Sequence, residues 1–312
     1  MNGPASSART VAVIGGSGDV GRMLVDRLRG DGHTVRTIDV RFTDRSDADQ
    51  VKGDVTDPSP EVRSVIAGAD AVILAVPEVV ALESIPTAVA LLADGALLVD
   101  TLSVKSRFDA ALRASALRNS AVGINPMFAP SLDPAGRPIA AVTYRDLGDV
   151  AWFLSTLSGW GSSVVHLDAE HHDRLTASTQ ALTHAAVLGF GLALAELGVD
   201  GAELAEVGAP PHLVSLALLA RVGSGVPEVY RDIQVGNPFA GEARRALITA
   251  LTAVVDTVEH GSEDDFASLM SRATSALGDQ KVPLAELCAD LFSDKRLHRT
   301  APRSRERKGD SS

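Results

Sequence analysis

The stretch Val11-Ala12-Val13-Ile14-Gly15-Gly16-Ser17-Gly18-Asp19-Val20-Gly21 decides how the rest of the chain is read. Four apolar residues in a row suit a strand buried on both faces, and the glycines after them mark a turn into a helix. Gly16, Gly18 and Gly21 stand at the G-x-G-x-x-G spacing. In that pattern the first glycine permits the tight turn, the second lets the backbone approach a pyrophosphate, and the third allows close packing of helix on strand. The helix N-terminus, with Asp19 and Val20, then faces the phosphates. A glycine hexapeptide alone is weak evidence. Here an acidic residue, Asp39, follows Gly21 by 18 positions at the end of a second apolar run, as a dinucleotide-binding unit requires. A carboxylate there accepts hydrogen bonds from ribose hydroxyls and repels a 2′-phosphate, which favours NAD over NADP; Arg41, two residues on, works against that preference.

Outward from this stretch, runs rich in Val, Ile and Leu recur at residues 10–14, 34–39, 71–75, 97–100, 121–124, 139–143 and 163–167, with helical patterns between several of them, notably 21–30 and 106–117. The expectation is a doubly wound α/β Rossmann domain over residues 10–168, its strands in a parallel sheet. After Asp168 the texture becomes helical: residues 170–198 read as one long helix, followed by periods at 213–222, 241–259 and 263–277 and no strand. This predicts an all-helical substrate and dimerisation domain over 169–294. Residues 181–197 are apolar on nearly every face. Such a helix must be covered, and a second copy of the chain is the expected cover, giving a homodimer. Residues 1–9 and the basic stretch 295–312 are expected to be disordered.

Composition bounds the function. The chain has 312 residues, 45% hydrophobic and 22% charged, with a formal net charge of −11. Residues 295–312 hold seven basic and two acidic side chains, so the body is more acidic still, and a body of that sign argues against nucleic acid as partner. One cysteine, Cys288, excludes a disulfide framework and a Cys-based zinc site. It is read as a small buried residue, a reactive thiol being the alternative. Glu78, Glu83, Pro86 and Asp94 interrupt the most apolar region, and residues 1–10 lack an apolar signal-peptide core. The expectation is therefore a cytoplasmic protein with no membrane span.

Four further segments place polar residues where a doubly wound fold exposes them. They are Asp100-Thr101-Leu102-Ser103-Val104-Lys105, Gly123-Ile124-Asn125-Pro126-Met127-Phe128, His171-His172-Asp173 through Gln180-Ala181-Leu182-Thr183-His184, and Arg221 ahead of Pro227-Glu228-Val229-Tyr230-Arg231-Asp232-Ile233. With the glycine loop, these resemble the signatures of the prephenate dehydrogenase family over roughly residues 10–290. The resemblance implies a Rossmann domain followed by a helical dimerisation domain, and hydride transfer to NAD from C4 of a cyclohexadiene dicarboxylate as its ring loses CO2. It implies that Ser103 hydrogen-bonds the substrate and the neighbouring catalytic side chain, that His184 lines the substrate pocket, and that Arg221 holds a substrate carboxylate. A guanidinium fork suits that task because two parallel bonds fix orientation as well as charge.

One position departs from the family pattern. Where the family has His-Pro-Met, its histidine accepting the proton of a 4-hydroxyl, this chain has Asn125-Pro126-Met127. An amide cannot take a proton at neutral pH, and losing a general base typically slows a reaction ~10²- to 10⁴-fold. The reading preferred is a changed substrate, the 4-amino analogue of prephenate, giving 4-aminophenylpyruvate, CO2 and NADH. A neutral carbonyl orients an amine N–H without competing for its proton, and the lone pair of the neutral amine helps expel hydride. This matches the branch of the family that serves 4-aminophenylalanine-derived metabolites such as antibiotics. The alternatives are a prephenate or arogenate dehydrogenase of tyrosine synthesis, and a non-catalytic NAD-binding regulatory protein. Asn125, Ser103 and His184 are thus the candidate catalytic residues. Gln180 and Thr183 share the stretch with His184 and line either the pocket or the helix interface.

No metal is expected. His171 and His172 diverge by about 100° on a helix and are read, with Asp173, as polar residues of a helix start, Asp173 complementing the dipole. Lys105 contacts either loop backbone or substrate. His33, His166, His212, His260 and His298 lie outside the motifs and are read as surface or structural.

Overall fold

A computed structural model describes residues 8–42 and 49–293. The expectations for residues 1–7 and 295–312 fall outside the described residues. At the start of the described residues the Arg9 amide donates to His33 Nδ1 at 3.1 Å, and its guanidinium lies 4.6 Å from the Trp152 ring centroid.

Eight strands form one sheet: β1 (Thr10–Ile14), β2 (Thr34–Asp39), β3 (Gln50–Lys52), β4 (Ala71–Leu74), β5 (Leu97–Asp100), β6 (Ala121–Pro126), β7 (Pro138–Arg145) and β8 (Ser163–Leu167). Their order across the sheet is β3-β2-β1-β4-β5-β6-β7-β8. On β1, Val11 and Val13 pack to one side with Leu24 and Leu28 of helix α1 (Asp19–Gly30), while Ala12 and Ile14 pack to the other with Val62 and Ile66 of α2 (Pro60–Ala67). Both faces being covered explains the unbroken apolar runs. Of the remaining helices that cover the sheet, α3 (Glu78–Glu83), α4 (Ile85–Leu91) and α5 (Ser106–Ala114) lie on the α2 side and α6 (Val150–Gly159) on the α1 side.

Three features differ from a purely parallel, fully covered sheet. β7 runs antiparallel to β6, because residues 127–137 between them contain no crossover helix to return the chain. β8 is an edge strand with exposed or half-buried residues throughout. β3, with one apolar residue in three, is too short to leave a period in the sequence.

After β8 the helical run at 170–198 changes its hydrogen-bonding pattern: α7 (Ala169–Thr176) passes into a π-helical segment, Ala177–Leu182, and then α8 (Thr183–Glu196). π-segments inside helices frequently mark functional sites. Next come α9 (Gly201–Val207), α10 (Pro210–Gly223), α11 (Pro227–Gly236), α12 (Ala240–His260), α13 (Glu263–Ser275), a 3₁₀ turn at Gly278–Gln280 and α14 (Lys281–Ser293). The chain divides into two compact units, one running through Ser178 and including Glu228–Phe239, the other comprising Thr179–Pro227 and the chain from Ala240. This differs from a single cut at Asp168. α7 stays with the sheet because His172, Asp173 and Thr176 are buried there, and the segment at 228–239 stays because its Asn237 binds α7.

The second unit has no strand among its described residues. Its helices leave large apolar side chains open, Leu192 at 72%, Leu251 at 57% and Leu287 at 55% exposure among them. Cys288 is exposed on α14, contrary to its expected burial, because among the described residues none covers that helix well enough to bury any of its side chains. Among the described residues no single helix is long and apolar enough to cross a membrane.

Candidate active site

The glycine loop between β1 and α1 is built by close approach. Gly15, rather than Gly16, takes the left-handed conformation, with φ of 84°. Gly16 is required by space, since a Cβ there would lie 2.8 Å from Thr37 Cβ on β2. At Gly21 a Cβ would lie 2.2 Å from the Gly15 carbonyl oxygen, so only glycine lets α1 enter this close to the loop. Gly18 is the N-cap of α1 and supplies no side-chain cap, which leaves the first amides of the helix available to an anion. Asp19 is exposed and pairs with Arg22, and Val20 is half-buried at the same helix start.

Asp39, at the end of β2, is buried against this loop. Its Oδ2 accepts from Ser17 N at 3.0 Å and Ser17 Oγ at 2.6 Å, and its Oδ1 accepts from Arg41 N at 2.9 Å. The ribose-reading carboxylate and the phosphate loop are thereby locked to each other. An uncapped helix start, a glycine cradle and an acidic strand end fit a dinucleotide.

Beyond the carboxyl ends of β5 and β6 lies a buried polar network. Lys105 and Asp100 are both fully buried and pair at 2.5 Å. Lys105 Nζ also donates to Ile124 O at 2.9 Å, Tyr144 Oη donates to Asp100 Oδ2 at 2.8 Å, and Leu102 N donates to Asp100 Oδ1 at 3.0 Å. Burial pushes the Lys105 ammonium below its ordinary value, an effect that Asp100 opposes. Burial, and then the Asp100 charge, push the Tyr144 phenol well above its own, so it remains a donor. Room for the network exists because residue 123 is glycine: a Cβ there would lie 2.5 Å from Asp100 Oδ2 and from Tyr144 Oη. Of the two roles open to Lys105, the structure gives it backbone contact, on β6, and a charge partner. By holding Ile124 O it fixes the strand immediately before Asn125.

Asn125 is buried at 3% exposure, and its Nδ2 lies 3.2 Å from His172 Nε2. His172 Nδ1 in turn lies 2.8 Å from Asp173 Oδ1. Asp173 also accepts from Lys105 N and Ser106 N, each at 2.8 Å, so it caps the start of α5, not of its own helix. The cap of α7 is Asp168, whose side chain accepts from His171 N. Burial pushes the His172 imidazole below its ordinary value, the hydrogen bond to Asp173 opposing it. For Asp173 burial acts upward, but hydrogen bonds from His172, Ser106 and Lys105 outweigh it and hold the carboxyl below the usual range.

His172 and Asp173 do stand at a helix start, but they are buried and Asp173 serves α5 instead of the dipole of α7; of His171, His172 and Asp173, only His171 is exposed. A signal was present. Ala169, His172, Asp173 and Thr176 fall at i, i+3, i+4 and i+7, the spacing of a core-facing stripe, and all four are buried. Polar residues on such a stripe must be paired inside the protein. Glu78, a polar interruption of an apolar region in the sequence, is also buried; its Oε2 accepts from Arg107 at 2.6 Å, and burial pushes its carboxyl up.

Ser103 is half-buried in the turn between β5 and α5, on the same unit as Asn125 and the glycine loop. The other candidates belong to the second unit. Gln180 lies in the π-helical segment and is half-buried; Thr183 opens α8 and is exposed; His184 follows, half-buried. Burial, then the positive charge of Arg221, lower the His184 imidazole below its ordinary value, so these two face one another electrostatically. Arg221 is exposed near the end of α10. Among the described residues no group of three His, Cys, Asp or Glu side chains is placed to hold a metal ion.

Comparison with known proteins agrees with both units. Residues 11–102 match the NAD-dependent epimerase/dehydratase family, and residues 168–272 match the prephenate dehydrogenase dimerisation domain. The N-terminal part of the chain is thus an NAD(P)-binding domain and the C-terminal helical part carries a dimerisation domain, whose match also takes in α7 and residues 228–239 of the first unit. The chain is 47% identical, over 94% of its length and 99% of the relative's, to a 4-amino-4-deoxyprephenate dehydrogenase of Streptomyces pristinaespiralis. It is 28% identical to the T-protein of Enterobacter agglomerans, over 87% of this chain and 68% of that one. In fold it is similar to the Aquifex aeolicus prephenate dehydrogenase crystallised with hydroxyphenyl propionate and NAD+, with a TM-score of 0.70, 18% identity, and coverage of 91% and 100% of the two chains. The chain belongs to the prephenate dehydrogenase family.

Proposed function

We propose that the chain, as a homodimer, oxidatively decarboxylates 4-amino-4-deoxyprephenate to 4-aminophenylpyruvate and CO2 with reduction of NAD+ to NADH, in the making of a 4-aminophenylalanine-derived metabolite. The observation that carries this reading is the buried amide of Asn125, standing where the family pattern has a basic histidine. The relative of S. pristinaespiralis that bears this activity supports it.

NAD+, when bound, accepts the hydride that leaves C4. The glycine loop and the first turn of α1, through Gly16, Gly18, Asp19, Val20 and Gly21, hold its pyrophosphate, and Asp39 takes the ribose hydroxyls. A buried carboxylate at that position disfavours a 2′-phosphate, so kcat/KM with NAD+ should exceed that with NADP+. Arg221 holds a carboxylate of the substrate, with Gln180 and Thr183 as further substrate contacts, and Ser103 hydrogen-bonds the substrate and the neighbouring catalytic side chain. His184, its basicity lowered by burial and then by the Arg221 charge, is the candidate to take the proton that a bound ammonium sheds before transfer. Asn125 then needs only to accept an N–H of the neutral amine. The bond from the ring to the departing carboxylate breaks as hydride leaves, and the ring becomes aromatic.

Steady-state kcat/KM measured with both cyclohexadienes tests the reading. The amino substrate should be preferred, and Asn125→His should shift preference towards prephenate. A wild-type enzyme faster on prephenate would overturn it and leave the tyrosine-pathway alternative.

A further inference from the structure

An amide has two ends of nearly equal size and opposite hydrogen-bonding sense, so its usefulness as an acceptor depends on which end faces the reactant. The structure contains a device that sets this. Asp173, held ionised by its hydrogen bonds, can only accept. His172 Nδ1, 2.8 Å away, must therefore carry the imidazole proton. In the neutral ring Nε2 is then a lone pair, and only the NH2 end of Asn125 makes a hydrogen bond across the 3.2 Å that separates them. The carbonyl oxygen is the end left over.

The dyad is itself fixed from two directions. The Lys105 and Ser106 amides hold the Asp173 carboxylate at the start of α5, while Asn237 Nδ2 donates to Asp173 O at 2.8 Å and to Thr176 Oγ1 at 3.1 Å. This gives the return of residues 228–239 to the first unit a purpose: it pins the turn of α7 that carries the dyad. His172 and Asp173 are both at 0% exposure, so water does not substitute for the imidazole acceptor.

We infer that His172, its tautomer set by Asp173, is a positioning residue that orients Asn125 so that the carbonyl and not the NH2 is offered to the nitrogen on C4, and that selectivity for the amino substrate depends on it. This rests on the substrate reading above. Reversing the amide would set two acceptors, the Asn125 carbonyl oxygen and His172 Nε2, against each other, in a site where an unpaired buried polar group is strongly disfavoured.

The test is a double-mutant cycle on kcat/KM. His172→Asn keeps a donor for Asp173 at the Nδ1 position and deletes the acceptor at Nε2; His172→Gln restores an acceptor near Nε2. His172→Asn should lower kcat/KM on the amino substrate by about tenfold and reduce its ratio to prephenate, with NAD+ affinity within about twofold of wild type. His172→Gln should recover most of the ratio. In an Asn125→Ala background, His172→Asn should have little further effect, because the group it orients is gone. Equal losses in both backgrounds, or a folded His172→Asn protein with an unchanged substrate ratio, would overturn the inference; if His172→Asn does not fold, a folded His172→Gln that loses the ratio does the same. Should the wild-type enzyme itself prefer prephenate, the substrate reading fails, and the coupling measured on prephenate still decides whether His172 acts through Asn125.

Discussion

The two units solve the problem of unwelcome surface in opposite ways. In the first, Asp100, Lys105, His172 and Asp173 are polar groups at 0% exposure, and each finds its partners within one chain. In the second, leucines and valines on α8, α12 and α14 stand open, and α8, α12, α13 and α14 together bury only Ala240. The difference is one of completeness. A buried charge tolerates no missing partner, so the network around Asn125 must be finished inside the fold that holds it. An apolar face can be finished by another molecule, because the hydrophobic effect is indifferent to which chain supplies the cover.

The strongest way to break this contrast is at Lys105. Lys105→Ala leaves Asp100 as a buried carboxylate without its cation and opens a cavity beneath β6. Breaking a buried pair by removing one partner destabilises by ~3–5 kcal/mol. Urea unfolding should show a loss of that order, and the variant should also lose activity, since Ile124 O and hence Asn125 are no longer held. A change within about 0.5 kcal/mol, typical of surface positions, would mean that the network is not closed to water.

The contrast sharpens at Leu251, 57% exposed on α12 with Val254, Val255 and Val258 along the same helix. In an isolated chain Leu251→Glu should be nearly neutral. If a second copy covers this face, the carboxylate is buried unpaired, and the dimer should weaken by at least about a hundredfold, or ~3 kcal/mol. Sedimentation at micromolar concentration reads this directly, and NAD+ affinity, a property of the first unit, should stay within about twofold. A variant that remains as firmly dimeric as wild type would place the dimer contact elsewhere.

How much of this was legible in the sequence follows the same division. The strands at 34–39, 97–100 and 163–167 were read to the residue, because apolar runs bounded by turn residues carry their own limits. The glycine loop and Asp39 were legible because their spacing is imposed by a ligand of fixed shape. The antiparallel β7 was not, since direction is a property of the connection and residues 127–137 have no period of their own. His172 and Asp173 were hidden for a different reason. Their partners, Asn125 and the start of α5, lie 47 and 67 or more positions away in sequence, and local propensity at a helix start gives polar residues an ordinary explanation. The stripe at 169, 172, 173 and 176 held the clue, but only when polar residues on a core-facing face are treated as obligations to be paired. Cys288 goes the reverse way: its general tendency to be buried is overridden by a helix that the described residues leave uncovered.

The smallest expected effect separates a paired histidine from a merely buried one through the pH dependence of stability. The native His172 imidazole is held below the ordinary value of about 6.5 by burial, with Asp173 and Asp100 opposing and Lys105 assisting. As the pH falls below about 6.5 the unfolded chain takes up this proton before the native one does, so native stability is full above that value and declines as the pH descends towards the lowered native pKa. The slope from one such group cannot exceed about 1.4 kcal/mol per pH unit. His184, also lowered, contributes to the same limb and must be separated by substitution. Urea midpoints from pH 7.5 to 5.5 should therefore fall for the wild-type protein and fall less steeply for His172→Gln, which has no proton to gain, with His184→Gln flattening the remainder. If His172→Gln left the acid limb unaltered, the imidazole would be accepting its proton in the fold as readily as in the open chain. Nε2 would then be a donor below neutrality, and the amide of Asn125 would turn its carbonyl towards the histidine instead of the substrate, so loss of amino-substrate turnover should track the same pH interval.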